Sequence, residues 1–129
     1  MSDDRPSETN EAHIDSAVLE RTTDRSEVDA ETITDALVVL HSALIGRHAE
    51  FEREHDYATV GGTRAYRVPE TVWDDLVDEF EFEDEVATAV KFAHTEQAQL
   101  AFTDAVSVDD RFDEGEFGVV VGIDTAEEF

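Results

Sequence analysis

Between Asp29 and Glu54 the apolar residues Ile33, Leu37, Leu40, Leu44 and Phe51 recur at steps of three, four and seven, which places them on one face of a helix. Asp29 or Ser26 can cap the start with a side-chain oxygen, so the pattern predicts one amphipathic helix to about Glu54. The period then changes. Tyr57 to Val60 and Thr63 to Val68 are short runs of β-branched and aromatic residues on either side of Gly61-Gly62, and paired glycines supply the positive φ angles of a two-residue turn. A β-hairpin over 57–68 is expected. Pro69 ends its second strand and presets φ for a helix to Phe80, with Val72, Trp73, Leu76, Val77 and Phe80 on the apolar face.

After the acidic hinge Glu81 to Glu85, the residues Val86, Ala89, Val90, Ala93, Leu100 and Ala101 predict a further helix to about Asp104, and its alanines allow close approach to a neighbour. Phe117 to Ile123 is a β-branched run holding Gly118 and Gly122, long enough for one strand over 117–123. Upstream, residues 1–28 carry only Ile14, Ala17, Val18 and Leu19 as an apolar cluster among Ser, Thr, Asp and Glu, a composition that reads as a disordered acidic tail. Residues 29–129 then read as a single α+β domain: a small antiparallel sheet, made of the hairpin 57–68 and the C-terminal strand 117–123, packed against about three helices. The length of 129 residues suits that size.

Charge changes the picture. Asp and Glu number 34 against 9 Lys and Arg, for a formal net charge of -25, and Lys91 is the only lysine. Self-repulsion on this scale strains a compact state in dilute buffer, whereas at about 1 M salt the Debye length falls to about 3 Å and exposed charges cease to sense one another. The balance looks like that of cytosolic proteins from salt-in halophiles, and it implies a fold that needs salt. It also disfavours binding to bare phosphate backbones or anionic lipid, which requires clustered Lys and Arg. The opening Met1 to Pro6 lacks the apolar core of a signal peptide, and no apolar run approaches the roughly 20 residues that span a bilayer, so a cytoplasmic location without membrane contact is expected. Absence of cysteine removes disulfides, thiolate metal sites and cysteine nucleophiles.

No catalytic constellation emerges. His41, His48 and His55 recur every seven residues, which separates each pair by about 10.5 Å along a helix, too far for shared coordination. His48, Glu52 and His55 have better spacing, and Glu52-x-x-His55 matches an element that di-iron bundles place on two helices, but those bundles need a second such element, and Lys91 stands where it would require a glutamate before His94. The reading is no metal and a polar histidine flank. Carboxylate pairs such as Asp74 and Asp78 carry no signal in so acidic a chain. Ser42 and Ser107 lack a nucleophile elbow, and Gly115, Gly118 and Gly122 surround a strand without the strand-to-helix setting of a phosphate loop. An enzyme is not expected, and no cofactor is implied.

The feature closest to function is an island without acid. From Tyr57 to Pro69 there is no Asp or Glu, while Arg64 and Arg67 flank Tyr66. Such a hairpin could grip an anionic ligand or nucleic acid, with arginine on phosphate and Tyr66 stacking. Alternatively, a half-buried hairpin excludes acids while its arginines pair with carboxylates of neighbouring helices. Trp73, with Phe80 and Phe82 nearby, is a candidate anchor for a partner if its helix is exposed, and a core residue otherwise.

Residues Thr63 to Ala93 resemble the ribbon-helix-helix pattern of small dimeric DNA-binding regulators: a strand Thr63 to Val68, then Pro69-Glu70, a helix with Leu76, and a second helix with Ala89, Val90 and Ala93. That resemblance implies that strand side chains such as Arg64 would enter a DNA groove. The chain departs from the pattern in its short inter-helix link, its hairpin-paired strand and the long helix before it, so the family is not assigned. The leading expectation is a small non-enzymatic, salt-adapted module that binds a protein partner or itself. The alternative is a ribbon-helix-helix-like DNA-binding transcriptional regulator. The position of the strand separates them: an edge free to pair across a two-fold suits the regulator, a strand in mid-sheet the module.

Overall fold

The computed structural model describes residues 14–60, 62–105, 112 and 114–122, with the exception of the His48 side chain. Within them the chain forms α1 (Ser16–Arg25), α2 (Ala30–Ile45), α3 (His48–Glu54), β1 (Asp56–Val60), β2 (Thr63–Pro69), α4 (Glu70–Phe80), α5 (Asp84–Asp104) and β3 (Glu116–Gly122). The three strands make one antiparallel sheet in the order β1-β2-β3. The α+β architecture follows the hydrophobic pattern, with five helices among the described residues.

Two expectations are corrected. The stretch read as a tail is ordered from Ile14: Ile14, Val18, Leu19 and Thr22 are buried against the core, and α1 packs on α5. The Asp15 backbone N–H donates to Gln97 Oε1 at 2.8 Å, Gln97 Nε2 donates back to Asp15 Oδ2 at 3.3 Å, and Arg21 pairs with Glu96. Four buried side chains in a short amphipathic segment suffice to dock it once α5 offers a surface, a contact that composition does not report. Residues 1–13 lie outside the described residues. The second correction is the long helix, which breaks at Gly46-Arg47. There the N–H groups of Gly46 and Arg47 reach back three residues, to Ala43 and Leu44, and tighten the last turn before α3 begins. Ile33, Leu37, Leu40 and Leu44 are fully buried as expected, and Phe51 is carried round by the break onto Tyr66, ring centroids 5.4 Å apart.

Asp29 caps α2 by accepting from the Thr32 N–H at 2.9 Å. Helix α4 is capped by Glu81 in a left-handed conformation with φ of 56°, and α5 follows after the three-residue connection 81–83. Alanine supplies five of the eight buried residues of helix α5, which touches all three strands as well as α1 and α2. It can approach so closely because of Gly118. A Cβ at that position would come within 2.3 Å of Ala98 Cβ and 3.1 Å of the His94 carbonyl oxygen.

That contact also sorts the two faces of the sheet. Gly118 and Val120, with their partners Arg67 and Ala65, face α5, while Tyr66 and its partner Val119 face the opposite side, where Phe51 of α3 lies. Ala65, Tyr66, Val119, Val120 and Val121 all have no exposure, so the middle of the sheet is covered on both sides. No described helix is long and apolar enough to cross a membrane.

Replacing Gly118 with alanine is expected to destabilise the fold by about 1–3 kcal/mol through overpacking against α5. Adding Ala98→Gly should recover part of that loss, despite its own helix cost of about 1 kcal/mol. Urea unfolding in molar potassium chloride measures both variants, and an unchanged midpoint for Gly118→Ala would contradict the close approach.

Candidate interaction surface

The arginines of the acid-free island pack against both faces of the sheet. Arg64 has 18% side-chain exposure and spends its guanidinium on Glu52 of α3 at 3.3 Å, on Thr59 Oγ1 at 3.1 Å, on the Tyr66 hydroxyl and on the face of Tyr57 at 4.5 Å. Arg67, with 14% exposure, points to the opposite face, bonds Asp56 Oδ2 at 2.9 Å, approaches Glu116 at 4.0 Å and covers the rings of Phe102 and Phe112. Tyr66 is fully buried against Phe51 and Tyr57, and burial raises its hydroxyl pKa, offset in part by the Arg64 hydrogen bond. None of the three presents a surface on which a base could stack or a phosphate could sit. Trp73 is also interior: it has no exposure, its Nε1 donates to the Gly118 carbonyl at 3.0 Å, and its ring meets His94 edge-on at 5.4 Å. Phe80 and Phe82 are half-buried and stacked on each other.

The histidines do not assemble a metal centre among the described residues. Glu52 is committed to Arg64, and His55 lies beyond the end of α3 with its ring 5.7 Å from Phe51. The His48 side chain lies outside the described residues. A groove of about 640 Å³ opens between the end of α1, the first half of α5 and Phe117. Its two cations already lie on ring faces, Arg25 over Phe92 at 4.3 Å and Lys91 over Phe117 at 4.2 Å, and Lys91 is further tied to Glu70 at 3.0 Å. Lys91 is thus paired with a carboxylate, and Glu27, Asp84 and Glu85 also line the groove.

The two edges of the sheet are treated differently, and the backbone hydrogen bonds show how. Gly118, Val120 and Gly122 direct their N–H groups away from β2, to Thr95 Oγ1 at 3.1 Å, His94 Nδ1 at 3.0 Å and His41 Nε2 at 3.0 Å. The Gly118 carbonyl on the same side accepts from Trp73. Side chains of α2, α4 and α5 thus take the place of a fourth strand. Pairing alternates along an antiparallel ladder, so Phe117, Val119 and Val121 bond inward to Val68, Tyr66 and Arg64, and Ala65 and Arg67 bond onward to Ala58 and Asp56. What remains is Tyr57 and Thr59, whose N–H and C=O groups point out from β1. Among the described residues no partner meets them, and Thr59 is exposed.

Sequence reasoning passed over the two sealing histidines. In the sequence His41 reads as part of a heptad series and His94 as a poor metal ligand; the signal that marks them is their position among apolar residues of α2 and α5. Both must be neutral at the nitrogen that accepts from the backbone. For His94, which is completely buried, desolvation above all, with the neighbouring His41 adding to it, lowers the pKa from 6.5 to about 3.

The family model described as Domain of unknown function (DUF8048) matches residues 12–123, and the chain belongs to that family. No curated protein and no solved structure matches the chain.

A histidine whose pKa falls to about 3 on folding binds fewer protons in the native than in the unfolded state between pH 6.5 and 3. Its contribution to stability is complete above pH 6.5 and drains away as the pH falls through that window. From pH 7 to pH 5 the loss is expected to be about 2 kcal/mol. His94→Asn keeps an acceptor in place of Nδ1 without titrating, so urea unfolding of this variant should lack that part of the slope. Equal slopes for wild type and variant would show that His94 is not the group responsible.

Proposed function

We propose that this member of the family is a small non-enzymatic, salt-adapted binding module that receives an extended segment of a protein partner on the outer edge of β1. The observation that supports this reading is the asymmetry of the sheet. Every outward N–H of Gly118, Val120 and Gly122 is bonded by a side chain, whereas Tyr57 and Thr59 on the opposite edge keep theirs directed away from the sheet without a partner among the described residues. Proteins blunt open edges with lysine, proline, bulges or inward charge, and β1 carries none of these between Tyr57 and Val60. An added strand gains main-chain hydrogen bonds there without displacing any existing contact.

The strand order supports this reading over the DNA-regulator alternative. The strand that would enter a groove is β2, which lies in mid-sheet with both edges hydrogen-bonded, and its arginines are committed to Glu52 and Asp56. Salt adaptation rests on the charge of -25, which molar salt screens to within about 3 Å. A halophilic, salt-filled interior is the setting that suits such a module.

Two experiments test the reading. In a potassium chloride titration followed by far-UV circular dichroism, helix content and melting temperature should rise from millimolar to molar salt, and flat curves would remove the salt-adapted part. For binding, short random peptides displayed on phage are panned on the immobilised full chain in molar potassium chloride. Extended sequences should be enriched, and Thr59→Pro, which deletes one outward donor while leaving the inward ladder intact, should weaken them about ten-fold. Enriched peptides that bind this folded variant as well as wild type would place the site elsewhere.

A further inference from the structure

The edge of β1 fits a second copy of this chain, and the geometry points to that copy as the occupant. This inference rests on the strand-accepting reading above and names the strand. Tyr57 and Thr59 each offer one outward N–H and one outward C=O, and they are separated by Ala58. An antiparallel strand related by a two-fold axis through Ala58 therefore brings Tyr57 of one copy opposite Thr59 of the other, twice. Four main-chain hydrogen bonds form, all donors and acceptors on the two edges are consumed, and the three-stranded sheets join into one of six strands. A strand that is its own complement in hydrogen bonds needs no change of register to dimerise.

Charge selects the same place. On a chain with a net charge of -25, most approaches between two copies bring carboxylate to carboxylate. From Tyr57 to Pro69 there is none, and the acid that opens β1, Asp56, is bridged to Arg67 at 2.9 Å. In the proposed register Asp56 lies opposite Val60 of the other copy, so no two acids of the joined strands face each other. The repulsion that remains is long-range, and molar salt removes it. Association by this edge should therefore strengthen as salt is raised, the reverse of an interaction driven by opposite charges.

Absence of cysteine allows a direct test of the register. Ala58 sits on the two-fold as a non-hydrogen-bonded pair, with Cα atoms about 4.5 Å apart, within the range a disulfide spans. Under mild oxidation in molar potassium chloride, Ala58→Cys should link two copies rapidly. Thr59→Cys should link slowly, because its twin lies across the diagonal, even though Thr59 is exposed and Ala58 is only 3% exposed. Sedimentation of the unmodified full chain should give twice 14.4 kDa at molar salt and move toward 14.4 kDa as salt is lowered or when Thr59→Pro is introduced, circular dichroism confirming that each sample is folded. Faster linkage at position 59, a folded wild-type chain that stays at 14.4 kDa at all salt concentrations, or a dimer indifferent to Thr59→Pro overturns the proposal. Peptide capture that persists in a monomeric wild-type chain would overturn only the self-pairing and leave the strand-accepting edge standing.

Discussion

The outer edge of β3 must find hydrogen-bond partners in side chains, since no strand lies beyond it, and much of the structure is arranged around that need. A buried N–H without an acceptor costs about 1–3 kcal/mol, and at Gly118, Val120 and Gly122 β3 has three N–H groups that only side chains satisfy. Meeting them fixes where α2 and α5 run, because His41 comes from one and His94 and Thr95 from the other. It also demands Gly118, whose missing Cβ lets α5 come near enough for its side chains to reach the strand. The Trp73 indole completes the edge by donating to the Gly118 carbonyl, so that α4 is held by the same strand. Both histidines are thereby drafted as hydrogen-bond acceptors of the backbone, a role open to imidazole only in its neutral form.

Against this interior, the charged surface has a plain logic. Among the described cations, Arg21, Arg47, Arg64, Arg67 and Lys91 each lie beside a carboxylate. Exposed pairs of this kind contribute about 0–1 kcal/mol apiece, which is too little to offset the repulsion of so many acids. Arg64 and Arg67 add packing to their charge, since their stems and guanidinium planes cover Tyr57, Phe102 and Phe112. The acid-free hairpin is therefore the part of the sheet where helices close over both faces and carboxylates would be buried. One consequence reaches the surface: the strand at its margin, β1, is left as a short neutral edge on an otherwise negative body, and that is the ground of the proposed strand addition.

The sequence by itself determined the periodicities and thus the elements built on them. The apolar stripe from Ile33 to Leu44, the Gly-Gly hairpin, the Pro69 junction, the alanine-rich helix and the C-terminal β-branched strand all lie where spacing alone placed them, because each is a local pattern of 2 or 3.6. The same period of 2, with a spacing of three, sets Arg64 and Arg67 on opposite faces of one strand. Tertiary structure decided what no local pattern contains. Ile14, Val18 and Leu19 look like a small apolar cluster in a polar tail until α5 supplies the surface that buries them. Gly46 looks like a tolerated glycine within a helix until the turn it ends carries Phe51 to Tyr66. His41, His94 and Gly118 are separated by as many as 77 positions, and their shared task exists only where β3 meets its two helices. Likewise, an open edge is a property of strand order, which depends on which strands pair across long stretches of chain and not on the residues of β1.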